Sequence, residues 1–554
     1  MINKTLQNVL IGSLRNRTMS IMPSWVIISR SAVATLPGRG RFYSRYVLSQ
    51  NQEWKSLFAK GRAGWSPASC SCKATHVFPL GKAFRHTSTE EEDFSFHLTP
   101  SQINEVLRAS EISYTIPEFD GKNPSSVLKF ESNHLGANVP IEDRRSAATC
   151  LQTRGMMFGV FDGHAGYSCA QSVSERLFSY LAISLLSRQK LEEIELAMES
   201  MKPILPILQW HKHPNDSFFH EVASLYLEQL RVYWQDLLNS DIDLGLTMEE
   251  ALIGAFKRLD SDISLEVQAP AKNELLKNIA LQVAFSGATA CLAHVDQLHL
   301  HVANAGDCRV ILGAQNPNGT WSALPLTRDH NAFNESEILR LKSEHPTSEG
   351  NTLLMNDRLL GVLMPSRAFG DVMFKWSQDL QQSILKNHCN LEDLNIYEYV
   401  PPCYHTPPYL TAEPEVTYHK IKQQDKFLVL ASDGLWDMLS NEEVVQLIAN
   451  HMVEDDVQKT QLTFKKPTSL GYVQDLLRRK ARTPQPCDQN VATYLIRHAI
   501  GANEYGEIDQ EKLMAMLTLP DDLARMYRDD ITVTVVYFNS DVIDSYYQED
   551  EEGS

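Results

Sequence analysis

Short apolar runs along the chain predict a set of β-strands. They occupy residues 156–161, 283–290, 298–305, 427–431 and 531–538, and each run is rich in branched or aromatic side chains. Several of these runs end next to Asp, Asn or Gly, which is typical of strands that finish in turns. The pattern therefore indicates a protein with a substantial β-sheet core.

Residues 167–187 have a different periodicity, which predicts a helix. Ala170, Val173, Leu177, Leu181 and Leu185 recur every three or four residues and so share one helical face. Helices placed between strands of the antiparallel type predict a layered α+β domain. No long Gly, Ser or Pro linker interrupts residues 105–540, so we expect one large domain there.

Four further segments are interpreted as additions to this domain. Residues 342–410, with two Pro-Pro pairs, and residues 452–490, with clusters of Lys and Arg, have the character of insertions. Inserted loops often carry partner specificity. Residues 88–104 are interpreted as an N-terminal extension, and residues 541–554 as an acidic tail.

The charge of the first 87 residues differs from that of the rest. They contain thirteen Lys or Arg and one acid, Glu53, and the acidic run 90–93 follows at once. A basic, Ser-rich leader is typical of a mitochondrial presequence. A disordered basic arm in a cytosolic protein is the alternative. Removing the leader's net +12 from the chain's −18 would leave −30.

Composition and spacing exclude several classes of protein. A net charge of −18 disfavours a nucleic-acid surface, which needs clustered Lys and Arg. The nine cysteines show no zinc-like pairing and indicate reduced thiols, and none has the Arg six positions later that a cysteine-dependent phosphatase requires. His220-Glu221 is followed by Ser224 where a zinc protease needs its second His. No run of about 18 apolar residues predicts a membrane span.

Acidic residues stand at the ends of several predicted strands. Asp162 and Asp433 each follow an apolar run, and Asp529 precedes another. Because the start of one antiparallel strand lies beside the end of its neighbour, we expect these carboxylates to converge. Carboxylate clusters suit hard cations such as Mg²⁺ and Mn²⁺, and two such ions can clamp a phosphate and activate water. Taken singly, an Asp-Gly pair is more often an ordinary turn.

Eight blocks, taken in order, resemble the metal-dependent type 2C (PPM) serine/threonine phosphatases. They are ED (142–143), FDGHAG (161–166), SGATA (286–290), NAGD (304–307), TRDH (327–330), SRAFGD (366–371), ASDGLWD (431–437) and RDD (528–530). The resemblance covers roughly residues 105–540. It implies an α+β fold, a four-layer α/β/β/α sandwich with two central antiparallel sheets.

The same resemblance implies a site for two divalent metal ions, Mg²⁺ or Mn²⁺. Asp162 would bridge both ions, and the carbonyl oxygen of Gly163 would bind one of them. Asp433 and Asp529 would complete the other site. Asp307 matches a position that, together with Asp433, binds a third metal in some members of the family.

Catalytic roles follow from the resemblance as well. Glu142 and Asp143 would hold metal-bound water, and His164 would be the general acid for the leaving serine oxygen; a hydrogen-bonded structural histidine is the alternative. Many members carry a phosphate-binding arginine where this chain has Asn138. Arg144 or a metal would then take over part of that work.

Three segments, 138–145, 210–216 and 409–416, are similar to the pyruvate dehydrogenase phosphatases within this family, and residues 88–93 and 533–538 to their second isoform. This resemblance implies a matrix enzyme that dephosphorylates and reactivates the pyruvate dehydrogenase α subunit. It implies docking on the lipoyl-bearing acyltransferase core, with a regulatory subunit as a further candidate partner. The alternatives are a phosphatase for another mitochondrial phosphoprotein and a catalytically inactive scaffold.

Overall fold

A single compact unit, Phe96–Ser554, contains all the residues that the structure describes. The computed structural model describes residues 98–116, 125–216, 222–240, 246–269, 273–386, 391, 394, 396, 400–401, 403–462 and 488–552. The predicted presequence and most of the predicted 452–490 insertion lie outside these residues. Within them, no helix is long and apolar enough to cross a membrane.

Runs of strands and runs of helices follow one another along the described chain. The strands are β1 (Ile112–Thr115), β2 (Val127–Leu135), β3 (Arg144–Cys150), β4 (Met156–His164), β5 (Leu208–Trp210), β6 (Gly287–Asp296), β7 (His299–Ala305), β8 (Arg309–Gln315), β9 (Trp321–Pro325), β10 (Leu354–Met355), β11 (Arg358–Leu359), β12 (Phe369–Gly370), β13 (Glu415–Lys420), β14 (Asp425–Ala431) and β15 (Ile531–Phe538). The helices are α1 (Pro100–Arg108), α2 (Ser168–Ser184), α3 (Arg188–Glu199), α4 (Ala223–Asn239), α5 (Met248–Gln268), α6 (Glu274–Phe285), α7 (Glu335–Glu344), α8 (Gln378–Leu385), α9 (Asp433–Trp436), α10 (Asn441–Leu462), α11 (Val491–Gly501), α12 (Gln510–Leu517), α13 (Asp521–Ala524) and α14 (Ser540–Glu552).

The larger strands form two antiparallel sheets. The first has the order β1-β2-β15-β14-β8-β9, and the second has the order β13-β7-β6-β4-β3-β5, with β12 also paired to β6. A buried cluster between the sheets contains side chains of β4, β6 and β7 from one sheet and of β8, β14 and β15 from the other. The predicted α+β fold with two central antiparallel sheets is confirmed.

Helices cover the outer face of each sheet. Side chains of α2, α5 and α6 pack on the second sheet, and side chains of α1, α10, α11 and α12 pack on the first. This double cover explains why β15 is buried along its whole length. Val533 and Val535 face the helices, whereas Val536 and Phe538 face the other sheet, as the alternation of a strand requires.

One predicted strand is wrong at its beginning. Residues 283–285, which the apolar run assigned to a strand, form the last turn of α6, and β6 begins at Gly287. The side chain of Asn273 caps α6 by accepting from the backbone N–H of Leu275 at 2.9 Å. Leu281 and Ala284 then pack against α2 and the sheet, so the apolar residues at this position form the buried face of a helix rather than part of a strand.

The packed part of the chain extends past both limits of the predicted domain. Helix α1 begins inside the predicted extension and buries Ile103 and Leu107. Helix α14 occupies much of the predicted acidic tail, and Val542 and Ile543 are buried. Amphipathic helices therefore form both ends of the domain, in the segments that were predicted to be an extension and an acidic tail.

Phe158 provides a test of the packing between the sheets. Its ring is fully buried in the inter-sheet cluster and lies edge-on to Phe130, with ring centroids 5.3 Å apart. Phe158→Ala should lower the free energy of unfolding by about 3–5 kcal/mol, because it leaves a cavity that rigid sheets cannot close. Urea denaturation measures this loss.

Leu128→Ala is the matched control, since this strand residue is 43% exposed. Its effect should stay near 0.5 kcal/mol. Equal losses for the two variants would contradict the assignment of the core to the space between the sheets.

Candidate active site

Four carboxylates from different elements meet at one end of the sandwich. Asp162 ends β4, Asp143 precedes β3, Asp307 lies between β7 and β8, and Asp433 begins α9 directly after β14. Burial raises the pKa of Asp162, and Asp433, Asp143 and Asp307 all lie close enough to it for their charges to add to the rise. We call these four residues the carboxylate cluster.

Burial and mutual repulsion make the carboxyl groups of the cluster hard to ionise. Burial raises the pKa of Asp143 to about 7, and the neighbouring Asp530 adds to the rise. Burial likewise raises the pKa of Asp307 to about 8, with a further contribution from Asp433. The pKa of Asp162 is raised well above its usual range for the same reasons. Positive charge placed among these groups would relieve the repulsion.

The oxygen atoms of the cluster fit a hard divalent cation. Oδ1 of Asp143 and Oδ1 of Asp433 are buried and make no hydrogen bond, which is costly for a carboxylate unless another group satisfies it. Across the described residues, no three His, Cys, Asp or Glu side chains already surround one point as metal ligands do. Asp162 lies beside Asp433, so the oxygen atoms are of the kind that such a cation binds, and two of them have no hydrogen-bond partner among the described residues.

Asp529 stands beside the cluster rather than within it. It lies two residues before β15, which pairs with β14, and a Cβ atom on Gly434 would lie 3.3 Å from the Cβ of Asp529. Its carboxylate forms an ion pair with Arg525. The structure thus places the predicted metal ligand next to Asp433, but the side chain of Asp529 is paired with Arg525.

Asp530, which sequence reasoning left without a role, organises the loop before β3. It accepts hydrogen bonds from the backbone N–H groups of Ala137 at 2.5 Å, Asn138 at 2.8 Å and Glu142 at 2.7 Å. Nδ2 of Asn138 also donates to Asp530, at 3.1 Å. Asn138 therefore serves the loop, and this side chain is not directed to a phosphate.

Arg144, the other residue considered for phosphate binding, is also hydrogen-bonded to protein atoms. Its guanidinium donates to the carbonyl oxygens of Ile141 and Asp143, both at 2.7 Å, and to Oε1 of Gln171. These bonds hold the backbone on which Asp143 stands. Arg144 consequently positions the cluster, with its Nε and Nη1 atoms bonded to protein acceptors.

Glu142 and Gly163 lie in contact at the mouth of the cluster. Oε1 of Glu142 accepts from the backbone N–H of Gly166 at 2.7 Å. A Cβ atom at Gly163 would lie only 2.5 Å from the carbonyl oxygen of Glu142, so this approach requires glycine. Burial raises the pKa of Glu142 as well.

His164 is paired with Asp371, a residue that sequence reasoning quoted within a motif but did not assign. Nε2 of His164 and Oδ2 of Asp371 are 2.5 Å apart. Burial opposes protonation of His164, but the Asp371 carboxylate outweighs it and raises the pKa of the imidazole. At Gly287, a Cβ would lie 2.0 Å from Nε2 of His164, so a larger residue would break the pair.

Only partial indications of the roles of Asp371 and Asp530 were present in the sequence. Asp371 follows β12, whose Gly370 pairs with Gly287, while His164 pairs with Gly287 from the other side. This adjacency arises from a two-residue strand that no periodicity reveals. The Asp529-Asp530 pair was visible, but nothing in its spacing showed that Asp530 turns toward residues 137–142.

The cluster predicts that the metal-free protein loses stability as the pH rises. In the unfolded chain its carboxyls should titrate near pH 4, below the folded pKa values of about 7 for Asp143 and about 8 for Asp307. The folded state therefore holds more protons in this range, so stability falls as the pH increases from 6 to 8.5. Thermal unfolding in EDTA measures the fall, and Mn²⁺ should stabilise the protein more at pH 8.5 than at pH 6.

Asp143→Asn is the control, since it removes one of the titrating groups and should flatten the decline. A metal-free melting temperature that stays level or increases between pH 6 and pH 8.5 would contradict the buried, repelling arrangement.

Similarity to known proteins agrees with this site. Residues 198–470 match the family described as Protein phosphatase 2C. The human mitochondrial pyruvate dehydrogenase (acetyl-transferring) phosphatase 2 is 61% identical over 532 residues, 96% of this chain and 99% of that protein. The human mitochondrial phosphatase 1 of the same name is 55% identical over 84% of this chain and 87% of its own length.

A protein phosphatase 2C homologue of Schizosaccharomyces pombe is more distant, at 31% identity over 75% of this chain and 82% of that protein. The predictions of the family, of similarity to the second isoform and of a mitochondrial location are confirmed by these relatives. The chain belongs to the protein phosphatase 2C family and is a metal-dependent protein serine/threonine phosphatase.

Proposed function

We propose that this phosphatase removes phosphate from phosphoserines on the α subunit of pyruvate dehydrogenase in the mitochondrial matrix, and so reactivates that enzyme. The substrate is inferred from two human relatives that are named for it and that align with most of this chain. The observation that carries the chemistry is the carboxylate cluster, with two buried oxygen atoms free of protein donors.

Two divalent cations, Mg²⁺ or Mn²⁺, belong to this proposal. Asp162, the carbonyl of Gly163, Asp433 and Asp529 would hold them, and Asp307 would hold a third. When bound, such ions neutralise phosphate charge and lower the pKa of water from about 15.7 toward 7. All of these ligands are oxygen donors, which magnesium and manganese prefer over softer ligands.

Glu142 and Asp143 are assigned to the attacking water. Oδ2 of Asp143 accepts from the hydroxyl of Ser432 at 2.7 Å, and that hydroxyl oxygen accepts from the backbone N–H of Thr532 at 2.9 Å. This chain fixes the carboxylate plane and leaves Oδ1 without a protein donor. Oδ1 can therefore accept a hydrogen bond from water and orient it toward the phosphorus atom.

His164 is assigned as the acid that protonates the leaving serine oxygen. With Asp371 held against Nε2, the raised pKa favours the imidazolium form, whose remaining proton is on Nδ1. A serine alkoxide is a poor leaving group and needs such a proton. A purely structural His164–Asp371 pair is the alternative.

Partners beyond the substrate rest on the sequence resemblance alone. They are the lipoyl-bearing acyltransferase core as a docking platform and a regulatory subunit. Another mitochondrial phosphoprotein remains the alternative substrate. An inactive scaffold is disfavoured because Asp162, Asp433 and Asp529 are all retained.

Asp162→Asn tests the reaction and its substrate together. The variant should lose at least about a hundredfold in phosphate release from phosphorylated pyruvate dehydrogenase, since it removes a charge from the centre of the cluster. EDTA should abolish release by the unaltered protein. Asp522→Asn, an exposed acid on α13, is the matched control and should retain full activity.

Two negative outcomes can be separated. Release from a phosphoserine peptide but not from pyruvate dehydrogenase would reject the substrate and keep the phosphatase. Full activity of Asp162→Asn would reject the proposed centre.

His164→Gln tests the proton donor. It should lower kcat on a phosphoserine peptide by about 10²- to 10⁴-fold, yet have much less effect on p-nitrophenyl phosphate, whose leaving group needs no proton. Steady-state kinetics on both substrates gives the comparison. Equal losses on the two substrates would favour the structural alternative.

A further inference from the structure

Arg525 lies at the rim of the carboxylate cluster with much of its side chain in solvent. It directly follows the short helix α13 and forms an ion pair with Asp529 four residues later. The side chain of Arg525 is 45% exposed and that of Asp529 is 27% exposed. The guanidinium group is therefore accessible from outside while it touches a residue of the proposed centre.

Asp529 brings Arg525 next to the carboxylate cluster. A Cβ atom on Gly434, the residue after Asp433, would lie 3.3 Å from the Cβ of Asp529. Asp529 therefore stands beside Asp433, and its ion pair places the guanidinium group of Arg525 at the same end of the sandwich.

Three other arginines near the cluster are held by protein acceptors. Arg144 donates to Gln171, Arg528 donates to the carbonyl of Gly136, and Arg309 donates to Asp329. The side chain of Arg309 is 24% exposed, and Arg528 is buried. Arg525 differs because its known partner, Asp529, is itself a proposed metal ligand at the rim.

We propose that Arg525 binds the phosphate oxygens of the incoming phosphoserine and retains the inorganic phosphate product. A planar guanidinium offers paired N–H donors that match two phosphate oxygens, and such charge-assisted hydrogen bonds are among the strong ones. The inference rests on the proposed function, and it assigns the phosphate contact to an exposed guanidinium, whereas Asn138 bonds to Asp530 and Arg144 bonds to the backbone before β3 and to Gln171. A positive group at the entrance attracts a phosphate dianion that approaches a set of carboxylates.

Asp529 links this role to the proposed metal site. A carboxylate that binds a cation no longer neutralises its arginine partner, so Arg525 would gain freedom to turn to phosphate. Arg525→Gln therefore has to be judged on phosphate binding and on metal affinity, since a merely neutralising arginine would change only the latter.

The experiment compares Arg525→Gln with Arg525→Lys and with the control Arg188→Gln. Arg188 is 51% exposed and also forms an i,i+4 ion pair, with Glu192, on a different helix. For each purified protein, we would measure inhibition by inorganic phosphate, KM and kcat on a phosphoserine peptide, and Mn²⁺ affinity by calorimetric titration. Thermal unfolding confirms that each variant is folded.

Arg525→Gln should weaken inhibition by phosphate and raise KM, each by about tenfold, with a smaller change in kcat. Arg525→Lys should recover part of the loss because it keeps the charge without the fork of donors. Arg188→Gln should match the unaltered protein. These results would hold even if pyruvate dehydrogenase were not the substrate, since the peptide is generic.

Unchanged phosphate inhibition and unchanged KM in Arg525→Gln would overturn the proposal. A change confined to Mn²⁺ affinity would also overturn it, because it would reduce Arg525 to a partner of Asp529. Failure of the proposed function would be seen separately, as no release from pyruvate dehydrogenase by the unaltered protein.

Discussion

Repulsion between buried carboxylates is the constraint on which the active site depends. Asp143, Asp162, Asp307 and Asp433 are drawn together by strands of two different sheets, and burial makes each harder to ionise. Only a stiff scaffold can hold such groups together, and the covered inter-sheet core supplies it. The stability given up here is what allows the site to gain so much from a cation.

The layers of the fold could be predicted because their signal is local. The apolar run of β15 matches the observed strand at both ends, since both faces of that strand are buried. The run at residues 283–290 misled because a helix end and a strand start are equally apolar there. Periodicity over eight residues cannot separate the two, whereas the Asn273 cap can.

The active site was predictable where acidic residues stand at strand ends or within the motifs of a known family. Asp162 and Asp433 were found by their places at strand ends, and the structure places them side by side. Asp371 and Arg525 depend on a two-residue strand and on the turn after a one-turn helix, so no periodic pattern announces them. The roles of side chains that act at the rim follow from tertiary geometry, and sequence spacing does not encode that.

The hydrogen bonds of Asp530 join parts of the chain that are almost 400 residues apart. The backbone N–H of Ala137 donates to Oδ1 of Asp530 across a separation of 393 residues, and β2 pairs with β15 over a similar separation. The loop that carries Glu142 thus has no fixed shape until the last strand is in place. A chain that ends before residue 530 lacks these contacts and makes an incomplete catalytic centre, so phosphatase activity requires that synthesis has passed almost the whole length of the protein.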